Sequence, residues 1–202
     1  MNVWLLHIEP GLYEALVQRD VYMAIHCGRV GVLASALAQT LGLAADELDI
    51  LGTAARLHDV GKIGIPDSIL LKPGPLDAAE RVDMRRHSER GERIGLAAVT
   101  WRAGLRWLRS SATITNTTMV AVIPTACADR RYRCCRVSAL ADRYDAMREP
   151  RSYHRARPHR EVTDILRGER GSRHDPQLVD LMLSLPEAWF ARLDHPRQTG
   201  LD

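Results

Sequence analysis

Apolar residues in this chain recur at three- and four-residue intervals over long stretches, and almost nowhere do they alternate singly with polar ones. Between Val21 and Leu43 the positions Val30, Leu33, Leu37 and Leu41 fall on one face of an amphipathic helix that carries His26 near its start. A second helix is expected from about Asp46, where Leu48, Leu51 and Ala55 lead on to His58. Gly61, Gly64 and Pro66 then stop it, and "KPGP" at Lys72 to Pro75 makes a turn. Asp77 with Glu80 three residues later has the form of a capping box, Asp standing in for the usual Ser or Thr, at the start of a helix that carries His87. Further on, "RVSALADRYDAM" reads as helical with Asp142 and Asp145 one turn apart. "DPQLVDLMLSL" opens with Asp175 as cap and Pro176 at the first helical position. The pattern predicts an all-α domain.

Composition narrows the class. With 202 residues, 46% of them hydrophobic, the chain can bury one core, so a single domain over 1–202 is expected and overall disorder is not. A formal charge of +3, with bases and acids interleaved over most of the length, argues against a nucleic-acid binder while leaving room for a local phosphate site. No stretch approaches the roughly 20 apolar residues of a membrane span, and "MNVWLLHIEP" lacks the features of a signal peptide. The chain is therefore expected in the cytoplasm, away from membranes. Cys27, Cys127, Cys134 and Cys135 lack the paired spacing of a zinc knuckle and are read as free thiols.

The candidate chemistry lies in imidazoles and carboxylates spread over the predicted helices. In "RLHDVGKIGIPDSILLKPGPL", Arg56 to Leu76, His58 and Asp59 are adjacent. Such a pair offers a nitrogen to one ion and a carboxylate to the same ion or a neighbouring one, which suits mixed N and O ligation of a divalent metal such as iron or manganese. His26, His58, Asp59 and Asp142 come from three separate predicted helices, as expected when a bundle core is built around a metal. Lys62 falls one turn on, where it could meet phosphate charge. Each residue alone has a plainer reading, as a packed histidine or a salt-bridge partner; only the set points to a metal.

"HDVGKIGIPDSILLKPGPL", followed by "MRRHSERGERI", "ALADRYDAM" and "GSRHDPQLVDLML", resembles the HD-GYP branch of the HD metal-dependent phosphohydrolases, in matching order from about Arg19 to Ile94 and again from Arg136 to about Leu183. The resemblance implies an all-α, HD-type helical bundle around a metal centre that binds two or three ions, usually iron or manganese. It also implies hydrolysis of the bacterial messenger cyclic di-GMP to pGpG or GMP. Carried over residue by residue, it makes His26, His58, Asp59 and Asp142 metal ligands, His87 a ligand of the second metal, and Asp59 the bridge between the two. Lys62 matches the lysine beside the scissile phosphate, Arg151 a phosphate-contacting arginine. Tyr22 stands where members with three metals carry Glu, so a third metal is not expected. A paired-metal site would hold a bridging hydroxide and spread the charge developing on the phosphoryl oxygens, with Asp59 kept ionised and Lys62 stabilising the leaving oxygen or the transition state.

One motif of that family is missing. Between His87 and Asp142 the pattern H-H-E-x-x-D-G-x-G-Y-P would complete the second metal site; instead Gly95 to Ala128 contains no Asp, Glu, Lys or His. Regrouping the codons for Ala112 to Ala126 by one base permits H-H-H-E-H-Y-D-G-S-G-Y-P-D-G, so residues 96–135 are read as an out-of-frame stretch between compensating indels; the alternative is a diverged loop. As written, the chain is expected to hold two metals poorly or only one, to turn over cyclic di-GMP weakly or not at all, and to leave the replaced segment without reason to dock on the core. Two other classes stay open: a non-catalytic protein that binds a cyclic dinucleotide or a signalling partner, and a one-metal HD phosphohydrolase acting on nucleotides. His154, His159 and His174 are expected at the surface, and Trp189 and Phe190 in packing.

Overall fold

The structure is a computed structural model and describes residues 5–98, 128–150, 155–191 and 193. Among the described residues the elements are helices α1 (Leu5–Arg19), α2 (Val21–Thr40) and α3 (Ala45–Arg56), a 3₁₀ turn (Val60–Gly64), then α4 (Asp67–Leu70), α5 (Ala78–Arg85) and α6 (His87–Ala98). They continue with α7 (Ala128–Arg148), α8 (His159–Glu169), α9 (Pro176–Ser184) and α10 (Glu187–Ala191). An isolated bridge between Arg170 and His174 is the extended pairing among these residues, and the all-α expectation holds.

Helix α2 is the axis of the bundle. Asp20 caps it by accepting from the Tyr22 and Met23 amides at 2.9 and 3.2 Å. Its C-terminus closes in a Schellman motif: Gly42 takes φ 69°, which a Cβ would oppose, so that the Leu43 amide reaches Ala38 O at 3.1 Å and the Gly42 amide Gln39 O at 3.0 Å. Val30, Leu33, Leu37 and Ala38 pack with Leu51 and Ala55 of α3, Val137, Leu140 and Tyr144 of α7, and Val162, Leu166, Val179 and Met182 of α8 and α9. Full burial of each large aliphatic chain among them contributes roughly 1.5–3 kcal/mol relative to exposure. By length and composition α2 would suffice to cross a membrane, contrary to the reading of the sequence, but most of it is buried inside the bundle, which accounts for its apolar character.

Two smaller clusters seat the site's supports. Leu16 of α1 packs with Met23, Ala24 and Cys27 of α2, while Ala54, Leu57 and Val60 gather Leu12, Ile63 and Ile94 around them. Arg19 ties α1 to the segment after the 3₁₀ turn by donating to Ile65 O at 2.9 Å and to Asp67.

Several elements differ from the pattern-based expectation. The helix expected from Asp77 through His87 is two helices: the capping box forms, with Glu80 N to Asp77 Oδ1 at 2.9 Å and Asp77 N to Glu80 Oε2 at 2.8 Å, but α5 ends at Arg85 and His87 opens α6. Likewise α3 stops at Arg56, so His58 and Asp59 lie just past its end. Most of the aberrant segment lies outside the described residues. Its last residues, however, are helical and continue into α7, with Cys134 and Cys135 buried. Cys27, Cys134 and Cys135 are free thiols, as read. His159 is not a bare surface residue; its Nδ1 lies 2.7 Å from the Tyr144 hydroxyl and its ring packs on Phe190, which is itself buried as expected. His174 is largely buried beside Glu169, and His154 lies outside the described residues.

Candidate metal centre

Four parts of the chain converge at one place. His26 comes from the second turn of α2, His58 and Asp59 from the link between α3 and the 3₁₀ turn, His87 from the first residue of α6, and Asp142 from the middle of α7. His26, His58 and Asp59 are buried and can each turn one ligand atom to within 4.8 Å of the others. His26 Nε2 lies 3.1 Å from Asp142 Oδ1, and His58 Nε2 lies 3.7 Å from the same oxygen. The imidazoles of His26 and His58 meet edge to face, 5.3 Å between centroids.

Local backbone chemistry aims two of the three rings. His58 Nδ1 donates to Ala55 O at 2.7 Å and His87 Nδ1 to Met84 O at 2.6 Å, each a carbonyl in the last turn of the preceding helix. With Nδ1 engaged, each Nε2 is the free acceptor. His58 Nε2 faces Asp59 Oδ2 at 3.5 Å, and His87 Nε2 faces Asp59 Oδ1 at 3.5 Å. The two carboxylate oxygens of Asp59 are thus divided between two histidines, the arrangement a carboxylate needs to bridge two cations. His87 Nε2 is buried without a hydrogen-bond partner, an unmet need that a cation would answer. The donor set of imidazole nitrogens and carboxylate oxygens fits a divalent transition metal.

Charge in the site is tightly coupled. Burial alone would hold the Asp59 carboxyl neutral, but Lys62 and the three imidazoles outweigh it and keep the group well below the usual carboxylate range. Lys62 Nζ sits 2.5 Å from Asp59 Oδ2, at the outer side of the cluster. His26 is pushed the other way: burial disfavours its charge, yet the hydrogen bonds to Asp142 and Asp145 prevail and raise it to about 9. His87, by contrast, is lowered by burial and so offers a neutral nitrogen. The side chain of Asp142 retains 33% exposure, which marks the open side of the cluster.

Every residue of the expected ligand set, and Lys62, is therefore brought together; Arg151 lies outside the described residues. Sequence reasoning gave no role to Asp145 or Arg29. Asp145 Oδ2 lies 2.7 Å from His26 Nδ1, and Arg29 holds both oxygens of Asp145 at 2.7 and 2.9 Å. Their signal was present as spacing: Arg29 is one turn beyond His26, and Asp145 one turn beyond Asp142.

The chain is 33% identical over 177 residues to 3'3'-cGAMP-specific phosphodiesterase 2 of Vibrio cholerae, covering 85% of this chain and 33% of that protein. It is 32% identical over 185 residues to the cyclic di-GMP phosphodiesterase response regulator RpfG of Xanthomonas campestris pv. campestris, covering 85% and 46%. A cyclic di-GMP phosphodiesterase of Thermotoga maritima is 33% identical over 172 residues, covering 83% and 45%. The chain thus spans between a third and a half of these relatives. The HD domain of the L. monocytogenes phosphodiesterase PgpH superposes with a TM-score of 0.58 at 16% identity, over 91% of this chain and 99% of that one, and so shares the fold. The family described as HD domain matches residues 23–147, a span that contains His26, His58, Asp59, His87 and Asp142, and the chain belongs to that family.

Proposed function

We propose that this chain is a metal-dependent phosphodiesterase of the HD-GYP type acting on cyclic di-GMP. The observation that carries the reading is the division of Asp59, one oxygen toward His58 Nε2 and the other toward His87 Nε2, each at 3.5 Å. His26, His58, Asp59 and Asp142 make a well-furnished place for one cation, and His87 with the second Asp59 oxygen makes half of another. When bound, iron or manganese would polarise the phosphate and lower the pKa of water. Asp59 stays ionised to bind it, His58 and His87 turn Nε2 toward it by committing Nδ1 to the backbone, and Lys62 stands at the rim to receive phosphoryl charge. Arg151 is proposed to contact a substrate phosphate. The second place is short of ligands, so turnover is expected to be low.

3'3'-cGAMP is the second substrate reading, because three relatives bear that specificity in their names. Relatives two to three times the length of the matched region, one of them a response regulator, support a signalling partner or module; a cytoplasmic setting is a further part of the proposal.

The test is metal content and turnover on protein purified without oxygen, offered cyclic di-GMP, 3'3'-cGAMP and mononucleotides. Bound iron or manganese with linear dinucleotide as product supports the reading, and Lys62→Ala should then keep its metal while losing about 10²–10³-fold in turnover. Product from mononucleotides alone would make it a one-metal nucleotide phosphohydrolase, and saturable dinucleotide binding without product a binding protein.

A further inference from the structure

We propose that Asp145, gripped by Arg29 and braced through Glu149, is a positioning residue that sets the orientation of His26 and thereby the metal affinity of the site; the inference rests on the metal-site reading above. An imidazole can present either nitrogen, and which one faces a metal is decided by the hydrogen bond at the other. His58 and His87 solve this locally because they follow helix ends, where a last-turn carbonyl three residues back lies within reach of Nδ1. His26 cannot. It lies inside α2, whose preceding carbonyls serve the helix's own amides, so the partner for Nδ1 must come from another element.

Asp145 of α7 supplies it. Oδ2 sits 2.7 Å from His26 Nδ1, while Nε2 on the far side of the ring faces Asp142 Oδ1 at 3.1 Å. Asp142 and Asp145 are thus one turn apart on α7 and take opposite edges of the same ring. Asp145 is 2% exposed, and Arg29 fixes its carboxylate with a fork, Nε to Oδ1 at 2.7 Å and Nη2 to Oδ2 at 2.9 Å. The same Nη2 donates to Glu149 Oε1 at 2.9 Å, so the guanidinium is held from the last turn of α7 and from the residue just past its end.

This arrangement also separates two clusters that look alike by composition. His26, Asp145 and Glu149 have enough ligand atoms at short range for an ion of their own. Arg29 already occupies that space as the cation, leaving His26, His58, Asp59 and Asp142 as the place for a metal.

The experiment titrates Mn²⁺ into metal-free protein by calorimetry, for wild type, Asp145→Asn, Asp145→Glu, and Glu169→Gln as a control that breaks an ion pair elsewhere on α7. Asp145→Asn keeps size but loses the charge that grips Arg29, and it is expected to weaken Mn²⁺ binding about 10–100-fold. Asp145→Glu should recover part of that loss, and Glu169→Gln should bind as wild type does. Should Asp145→Asn fail to fold, Glu149→Gln takes its place in the same titration with a several-fold weakening expected. Equal Mn²⁺ affinity in wild type and the Asp145 or Glu149 variant overturns the positioning role while leaving the metal site intact. Absence of Mn²⁺ binding in wild type overturns the metal site itself, and the positioning role with it.

Discussion

At the scale of single residues, the chain uses ion pairs in two distinct ways. Around Asp59 and Asp145 they are buried and oriented toward a function; around Glu169 they tie helices together. Arg143 of α7 donates to Glu169 at the end of α8, Nη2 to Oε1 at 2.6 Å and Nε to Oε2 at 3.2 Å, with His174 Nε2 3.3 Å from Oε2. Partial burial pushes the Glu169 carboxyl up, but the Arg143 hydrogen bonds and charge, helped by His174 and Arg173, hold it below the ordinary glutamate value. A carboxyl whose folded pKa is depressed stabilises the fold above its unfolded pKa, and the contribution is lost as pH falls through the folded value. Glu169→Gln is therefore expected to cost roughly 1–2 kcal/mol at pH 7, modest because the pair reaches solvent, and the gap from wild type should narrow below about pH 4. Thermal unfolding of both proteins across that range checks it; a gap independent of pH would assign the loss to packing. Residue identity was what the sequence displayed best: His26, His58, Asp59, His87 and Asp142 lie together in the fold, whereas Asp145, noted only for its spacing from Asp142, was given no role because an acid one turn from another is ordinary on a helix surface.

At the scale of elements, the site depends on how the 3₁₀ turn lies against α6. Gly61 sits with its Cα on the first turns of that helix, and a Cβ there would fall 1.8 Å from His87 O and 2.4 Å from Gly91 N. Backbone, unlike a flexible side chain, cannot yield by that much. Gly61→Ala should thus drive the turn that carries Asp59 and Lys62 away from the helix that carries His87, costing about 1–3 kcal/mol or more from overpacking. The measurable outcome is a lowered melting temperature together with weaker Mn²⁺ binding, since the change moves Asp59 relative to His87; unchanged binding would show that the two are placed independently. Periodicity found α2, α3, α7 and α9 but merged α5 with α6, because an apolar and polar rhythm persists across Arg86 while the backbone breaks there. That break matters: it puts His87 at a helix start, where Met84 O is within reach of Nδ1.

At the scale of the whole molecule, the candidate ligands lie on segments separated by most of the chain, from His26 to Asp142, so the folded state alone assembles them. A cation that binds only the assembled form stabilises it by about 2.7 kcal/mol at a hundredfold excess over its Kd, and for a domain of this size that corresponds to a rise of roughly 5–10 °C in Tm. Mn²⁺ should produce that rise, EDTA should abolish it, and the double variant His58→Ala, Asp59→Ala should show none; equal shifts in the double variant would place the ion elsewhere. The amino-acid sequence by itself determined the helical class, the caps at Asp77 and Asp175, and the set of imidazoles and carboxylates, because each follows from local spacing and residue chemistry. Tertiary structure alone decided which nitrogen His26 presents, that Arg29 claims Asp145 and Glu149, and that Gly61 must be bare, because these are contacts between elements distant in sequence and depend on distances that no local pattern encodes.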